Sequence, residues 1–314
     1  MRVVFMGTPD FAVPSLNALV AADFTPVAVV TQPDRPRGRG RHLLPSPVKE
    51  RATELELPLV QPKRVREPEF IRQLAELELD LIVVVAFGQI LPLDLLNLPR
   101  LGCINVHASL LPRLRGAAPI QRAIMNGDKI TGVTTMHMAE ALDSGDIILQ
   151  EKEEIMEDDT AGTLARRLAE RGAALLVRTI QALAAGKAPR LPQDHDAATY
   201  APPLTKSDEV LDFTRPAREL ANQVRALNPA PGAMTYVDGK ALKVWRARPQ
   251  EAASGAPGQV LAVKNLPGIL VGTGLGGLLL EEVQPAGKRS MTAQAFANGY
   301  QVQPGDLWGQ EVPC

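Results

Sequence analysis

Cysteine is almost missing from this chain of 314 residues, with only Cys103 and Cys314 present. One thiol lies in a strand-like apolar run and the other at the last position. They supply neither a disulfide framework nor a four-cysteine zinc site, and both are expected to be reduced thiols without a catalytic role. Long apolar runs are also missing. Leu81–Phe87 and Ile269–Leu280 are short or broken by glycine, well under the roughly 20 residues that cross a bilayer. The opening MRVVFMGTPD reaches a Gly-Thr-Pro turn too soon to hold the apolar region of a signal peptide. The expectation is a cytoplasmic protein without membrane contact. Charge of one sign is lacking too: 34 Lys and Arg against 35 Asp and Glu leave a net charge of −1. Any grip on a polyanion must therefore come from a local patch.

What remains is ordinary globular composition, 45% apolar and 22% charged, in a length that favours two domains. Strand-like runs at Val3–Met6, Pro26–Thr31, Asp80–Phe87, Cys103–His107, Gly132–Met138 and Ile147–Glu151 come first. Between them lie helical patterns at Pro14–Ala22, Pro47–Leu55, Glu67–Glu78 and Ala117–Asn126. This alternation predicts βαβ units and a mostly parallel, Rossmann-like sheet. A long amphipathic helix is predicted over 159–186, with Leu164, Leu168, Leu175 and Leu176 on its apolar side. The Pro-rich, aperiodic stretch after Gly186 reads as a linker. The division expected is 1–189, a linker at 190–206, and 207–314. The last part holds one helix, Pro216–Leu227, and then short strands with Gly and Pro turns, the pattern of a small β-barrel.

Gly272-Thr-Gly-Leu-Gly-Gly277 matches G-x-G-x-x-G, but a strand-like LLLEEVQP follows it. A dinucleotide site needs a helix there to meet the pyrophosphate, so a hairpin turn is expected instead. Residues 35–41, RPRGRGR, gather Arg35, Arg37, Arg39 and Arg41 where Pro and Gly exclude a regular helix. An exposed, mobile basic loop is expected.

The segment Gly102–Gln121, GCINVHASLLPRLRGAAPIQ, carries the chemistry. Asn105 and His107 are two apart on a predicted strand, so they share a face at its carboxyl end, where open parallel sheets bind ligands. Asp143, in Leu-Asp-Ser-Gly-Asp, can bring a carboxylate to the same edge. An amide can donate to a carbonyl oxygen as it becomes an oxyanion. An imidazole can move a proton from an attacking amine or toward a leaving nitrogen near neutral pH. An Asp can orient the imidazole, favour its charged form or hold a water. Taken alone, however, an Asn-x-His pair is more often satisfied polar packing, and an Asp-Ser-Gly-Asp is usually a turn. His42, His137 and His195 lie in unrelated segments without metal-ligand spacing, and no metal is expected.

The chain resembles the methionyl-tRNA formyltransferases in TPDFA, TQPDRPRGRG, PSPVK, VVVAFGQILP, GCINVHASLLPRLRGAAPIQ and LDSGD. The order is kept, and NPAPGA, KVW and VQPAGKRSM match in the second half. The resemblance implies a Rossmann-like catalytic domain followed by an oligonucleotide-binding-fold-like barrel that binds tRNA. It implies 10-formyltetrahydrofolate as formyl donor and initiator methionyl-tRNA as acceptor. It makes Asn105, His107 and Asp143 the catalytic trio. Folate contacts are implied for Ser109, Leu110, Leu111 and Pro112 and for the loop Phe87, Gly88, Gln89, Ile90 and Leu91. Contacts to tRNA are implied for Arg35, Arg37, Arg39, Arg41 and Lys206, and a monomer is expected. Two departures stand out: Ala141 where the family usually has Gly, and Leu114 where many members carry an aromatic residue. The same trio also serves formyltransferases acting on glycinamide ribonucleotide or amino-sugar nucleotides, and formyl-folate hydrolases. A non-catalytic folate- or tRNA-binding protein is the reading of a different class.

Replacing Arg37, Arg39 and Arg41 together by Ala is expected to weaken tRNA use while sparing folate binding. The salt dependence of tRNA binding should become shallower by roughly 0.7–0.9 in log–log slope for each phosphate no longer neutralised. A titration of binding against salt measures this, and an unchanged slope would reduce the loop to a solvated charge run.

Overall fold

The computed structural model describes residues 1–37 and 42–309. In chain order the elements are β1 (Val3–Gly7), α1 (Val13–Ala21), β2 (Ala28–Val30), β3 (Arg35–Arg37), β4 (His42–Leu44), α2 (Pro47–Glu54), β5 (Leu59–Val60) and α3 (Pro68–Ala75). Then come β6 (Leu81–Val85), α4 (Leu93–Leu96), β7 (Cys103–His107), α5 (Pro119–Met125), β8 (Ile130–His137), β9 (Ile147–Glu154) and α6 (Ala161–Ala184). The rest are α7 (Lys206–Glu209), α8 (Ala217–Ala226), β10 (Ala233–Val237), β11 (Lys240–Gln250), β12 (Val260–Ala262), β13 (Ile269–Gly272), β14 (Gly277–Pro285), β15 (Met291–Thr292) and α9 (Ala293–Tyr300). Two compact units share these elements. The first takes Met1–Pro119, Ile130–Glu154 and Ala165–Ala201, and the second takes Ile120–Lys129, Ile155–Leu164 and the chain from Pro202 onward.

The first unit is built on a seven-stranded sheet of order β5-β2-β1-β6-β7-β8-β9. Strands β5 to β7 run parallel, while β8 and β9 are antiparallel additions at one edge. The chain leaves β1 toward β2 and β5, then returns to place β6 on the other side of β1. Such a reversal opens a crevice at the carboxyl ends of the strands. Both faces are buried, which is why the central strands read as unbroken apolar runs. Val3, Phe5, Leu81, Val83, Val85, Ile104 and Val106 pack on one side with Leu16, Leu19, Val48, Ala52, Leu176 and Ile180. Val4, Met6, Ile82, Val84 and Cys103 pack on the other with Phe70, Leu74 and Leu95. The helices start where proline can occupy a first turn without losing a hydrogen bond: Ser46, which accepts from Lys49 N at 3.1 Å, precedes Pro47 in α2, and Pro68 opens α3.

The arginine-rich segment differs from the irregular loop expected of it. Arg35–Arg37 pairs antiparallel with His42–Leu44, so the segment's first residues form a short β-ribbon with the three that follow the segment. Pro36 fits because a two-stranded ribbon leaves each strand an unpaired edge. Arg39 and Arg41 lie outside the described residues. Residues 191–201 run along the first unit without regular structure. Leu191 and Ile147 exchange backbone hydrogen bonds of 2.8 and 2.9 Å.

The second unit is an antiparallel sheet of order β10-β11-β14-β13-β12, with β15 on β14, curled into a half-barrel. A register shift in β11 near Arg246 bends it. Leu220, Val224 and Leu227 fill its core with Val244, Ile269, Val271, Leu278 and Leu280. The G-x-G-x-x-G segment is a hairpin whose Gly272 and Gly277 pair directly. Its glycines admit close backbone rather than a phosphate: a Cβ on Gly274 would collide with the Thr214 carbonyl. Helix α9 was not expected from sequence. Its signal is the Thr292 cap with Ala293, Phe296, Ala297 and Tyr300 at helical spacing.

Within this unit Arg122 grips Asp208 with both nitrogens, at 2.6 and 2.9 Å. These hydrogen bonds, helped by Thr205, hold the Asp208 carboxyl down at about 2. A carboxyl depressed on folding stabilises above its unfolded pKa, and that contribution is lost as pH falls from about 4 toward 2. Asp208→Asn should therefore cost on the order of 2 kcal/mol at pH 7. Denaturant melts of the two proteins should differ at pH 7 and converge near pH 2.

Candidate active site

Strand parity sets the first part of the site. Cys103, Asn105 and His107 share the face of β7 turned toward α3 and α4. Cys103 is buried there, its thiol 3.5 Å from the Leu95 carbonyl and pushed up to about 12 by burial. Asn105, two residues on, is half-buried, and its amide has no protein hydrogen-bond partner among the described residues. It is free to donate to a ligand. His107 is buried, and its Nε2 lies 3.0 Å from the Leu114 carbonyl oxygen. A carbonyl only accepts, so Nε2 carries the hydrogen and Nδ1 is the nitrogen that can gain or lose a proton.

The second part comes from two turns. Asp143, in the turn between β8 and β9, places Oδ2 3.6 Å from His107 Nδ1. The same oxygen accepts the Gly116 N–H at 2.7 Å. Three left-handed residues make this possible: Leu114 at φ 58°, Gly116 at 120° and Asp143 at 48°. Aspartate tolerates that region better than most side chains. The left-handed residue of its turn is thus Asp143, and Ala141 has no positive φ. The Asp143 turn presses so closely on β8 that a Cβ on Gly145 would meet the His137 carbonyl.

The family resemblance implies folate contacts at Ser109–Pro112. Ser109 is fully buried and donates to the Arg113 carbonyl at 2.6 Å. Thr134 Oγ1 donates to the Ser109 carbonyl at 2.7 Å and accepts the Leu111 N–H at 3.2 Å. Leu111 packs against Met136 and Ile147. Ser109 and Leu111 therefore shape the segment from within, while Leu110 and Pro112 keep part of their surface. In the loop after β6, Phe87 and Leu91 are buried, Gly88 is exposed and left-handed at φ 87°, and Ile90 is 86% exposed. Gln89 braces residues 63–65, accepting the Val65 N–H at 2.9 Å. A cavity of 210 Å³ opens at the ends of β1, β2 and β6, lined by Thr8, Gln32, Arg35, Leu44, Ser46, Phe87 and Gly88 among others. Arg35 also donates to Gln32 at 3.1 Å. Neither Asn105 nor His107 lines this cavity. Lys206 belongs to the second unit, where it is exposed and 3.1 Å from Glu209. Among the described residues, no three His, Cys, Asp or Glu side chains are grouped to hold a metal. None of their helices is long and apolar enough to cross a membrane. Gly116, which sequence reasoning did not single out, carries a signal only in its awkward geometry: glycine where the backbone must turn left and approach another segment.

Comparison with known proteins agrees with this architecture. The family model described as formyl transferase matches residues 1–180, and that described as formyl transferase, C-terminal domain, matches 203–301. A relative named methionyl-tRNA formyltransferase from Moorella thermoacetica is 55% identical over 98% of this chain and 99% of its own. The protein of that name from Bacillus subtilis is 49% identical, over 98% of each chain. Among solved structures, the N-formyltransferase from Helicobacter canadensis in complex with folinic acid and dTDP-3-aminofucose aligns at TM-score 0.65 and 17% identity, covering 91% of this chain and 99% of that one. HypX from Aquifex aeolicus in complex with tetrahydrofolic acid aligns at TM-score 0.64 and 18% identity, covering 98% of this chain. This chain spans 48% of that one. At such identities the two structures establish a shared fold.

Gly116 and Gly88 are both left-handed, but only a Cβ at Gly116 would lie 2.7 Å from a backbone oxygen, that of Ala201. At Gly88 the nearest atom would be the Gln32 amide, at 3.6 Å. Gly116→Ala should lose about 1–3 kcal/mol from strain alone, with the clash in addition, and Gly88→Ala clearly less. Thermal unfolding of the two variants side by side tests the difference, and equal losses would contradict the close approach to Ala201.

Proposed function

The chain belongs to the formyltransferase family and within it to the methionyl-tRNA formyltransferases, and from that premise we propose that Asn105, His107 and Asp143 carry its reaction. The chain moves the formyl group of 10-formyltetrahydrofolate to the free amino group of initiator methionyl-tRNA. The observation that carries the assignment of residues is the unpartnered Asn105 amide beside a buried His107 whose Nδ1 faces Asp143.

When bound, the folate supplies an activated formyl carbonyl attached to a nitrogen that can leave. Asn105 donates to the carbonyl oxygen as negative charge gathers there, without first breaking a bond to protein. His107 is held by the Leu114 carbonyl with its hydrogen on Nε2, which leaves Nδ1 to accept a proton released at the attacking amine and to return it to the folate nitrogen as its bond to the formyl carbon breaks. Asp143, fixed by the Gly116 N–H, offsets the positive charge that His107 then carries. The exposed Ile90 and Leu142 side chains offer apolar surface to the flat rings of a folate, and Gly88 permits close approach to its backbone. Arg35 and Arg37, with Arg39 and Arg41, supply local cations for tRNA phosphates in a chain of almost zero net charge. Lys206 and the half-barrel are read as further tRNA surface, and residues 1–189 as the part that holds the donor. All three reacting groups come from one chain, so a monomer suffices, and a cytoplasmic place is read from the translation role of the family.

Amino-sugar nucleotides are the second acceptor class, favoured only by the likeness in fold. Incubation with formyl-labelled donor and, separately, charged initiator tRNA, charged elongator tRNA, glycinamide ribonucleotide and an amino-sugar nucleotide separates the readings. Label is expected on charged initiator tRNA. Asn105→Ala should lower kcat by about 10²–10³ and His107→Ala by about 10²–10⁴, with the fold intact by circular dichroism. A loss under tenfold for His107→Ala would sink the assignment.

A further inference from the structure

Arg115 stands between the two residues whose backbones hold the reacting pair. Leu114 supplies the carbonyl on His107, and Gly116 supplies the N–H on Asp143. The Arg115 side chain is buried, and among the described residues no carboxylate lies within ion-pair distance of it. Burying a cation unpaired is expensive unless its hydrogens are satisfied. Gln193 does this: its Oε1 accepts from Arg115 Nε at 3.1 Å and from a terminal guanidinium nitrogen at 2.7 Å. The same terminal nitrogen meets His195 Nδ1 at 3.2 Å.

The other end of the Gln193 amide reaches the Asp143 turn. Nε2 donates to the Asp143 carbonyl at 2.9 Å and to the Gly145 carbonyl at 2.7 Å. The amide cannot be turned round, since a guanidinium only donates and carbonyls only accept. Gln193 therefore uses both amide hydrogens and its oxygen to tie one turn to the other. Its own segment is fastened nearby. Thr199 accepts the Leu114 N–H through its hydroxyl at 2.9 Å and the Arg115 N–H through its carbonyl at 2.8 Å. Ala201 N–H returns to the Arg115 carbonyl at 2.7 Å.

We propose that Gln193 is a positioning residue for formyl transfer, setting the Asp143 turn against the Leu114–Gly116 turn so that carboxylate and imidazole keep their separation. This rests on the reading of Asn105, His107 and Asp143 given above. Gln193 touches no reacting group. It acts through the place of Asp143, and displacements of about 1 Å in such an arrangement can cost about 10² in rate.

Two variants of the full chain separate this role from simple neutralisation of Arg115. Gln193→Glu keeps oxygens for Arg115, with a full charge, but has no hydrogens for the two carbonyls. Gln193→Met satisfies neither side. Steady-state formylation of charged initiator tRNA is measured with thermal melts, alone and in an Asp143→Asn background. Gln193→Glu should melt no lower than the parent yet lose about 10- to 100-fold in kcat, with KM for both substrates within about threefold. On Asp143→Asn the same change should cost under about threefold, because its target is already disabled. Gln193→Met is expected to lose at least as much kcat as Gln193→Glu and to melt lower. Gln193→Glu retaining kcat within about threefold would overturn the proposal, as would an equal loss in both backgrounds. Asp143→Asn retaining kcat within about tenfold would instead overturn the trio itself, and this inference with it.

Discussion

Two backbone groups two residues apart, the Leu114 carbonyl and the Gly116 N–H, fix the only two ionisable side chains in the proposed trio. The carbonyl decides which nitrogen of His107 carries its hydrogen, at 3.0 Å, and the N–H holds Asp143 at 2.7 Å. Neither arrangement survives unless the chain turns left at Leu114 and Gly116. Strain of this kind persists only where surrounding structure over-determines it. Here that structure is the pairing of residues 199–201 with the turn and the amide of Gln193 between the turns.

Beneath this, the sheet does the coarse placement. Its alternation puts apolar residues on both faces of β1 and β6 and sets Asn105 and His107 on the face of β7 where Cys103 joins the core. Cys103 ends the core on that face, and Asn105 and His107 continue it outward. A one-residue slip of β7 would send both to the opposite layer, so pairing of β7 with β6 and β8 is as much a part of the site as any side chain. The antiparallel β8 also carries Thr134, whose hydroxyl holds Ser109 and Leu111.

Much of this was legible in the sequence because it depends on short-range pattern. The β-α alternation, the strand ending in Asn-x-His and the hairpin hidden in a nucleotide-like motif each follow from near neighbours in the chain. The pairing of Arg35–Arg37 with His42–Leu44 was not, since Pro and Gly disguise an edge pairing that needs no long apolar run. Helix α9 has a local signal in its Thr292 cap and apolar spacing. Gln193 had no local signal at all. The Pro-rich composition that reads as a linker is equally that of an irregular strap whose bonds go to residues 50 and 78 positions away. Spacing of that order leaves no trace in a window of sequence.

The order in which the strap enters the chain has its own consequence. The first unit is not continuous: it is left at Pro119, resumed at Ile130, left again at Glu154 and closed only with Ala165–Ala201. During synthesis β7 and the Asp143 turn emerge well before residues 193–201. The nascent protein therefore possesses its histidine and aspartate, with the Leu114 and Gly116 contacts to them, before Gln193 and residues 199–201 are there to brace the two turns. An incomplete chain, released early, would carry the reacting groups without that brace.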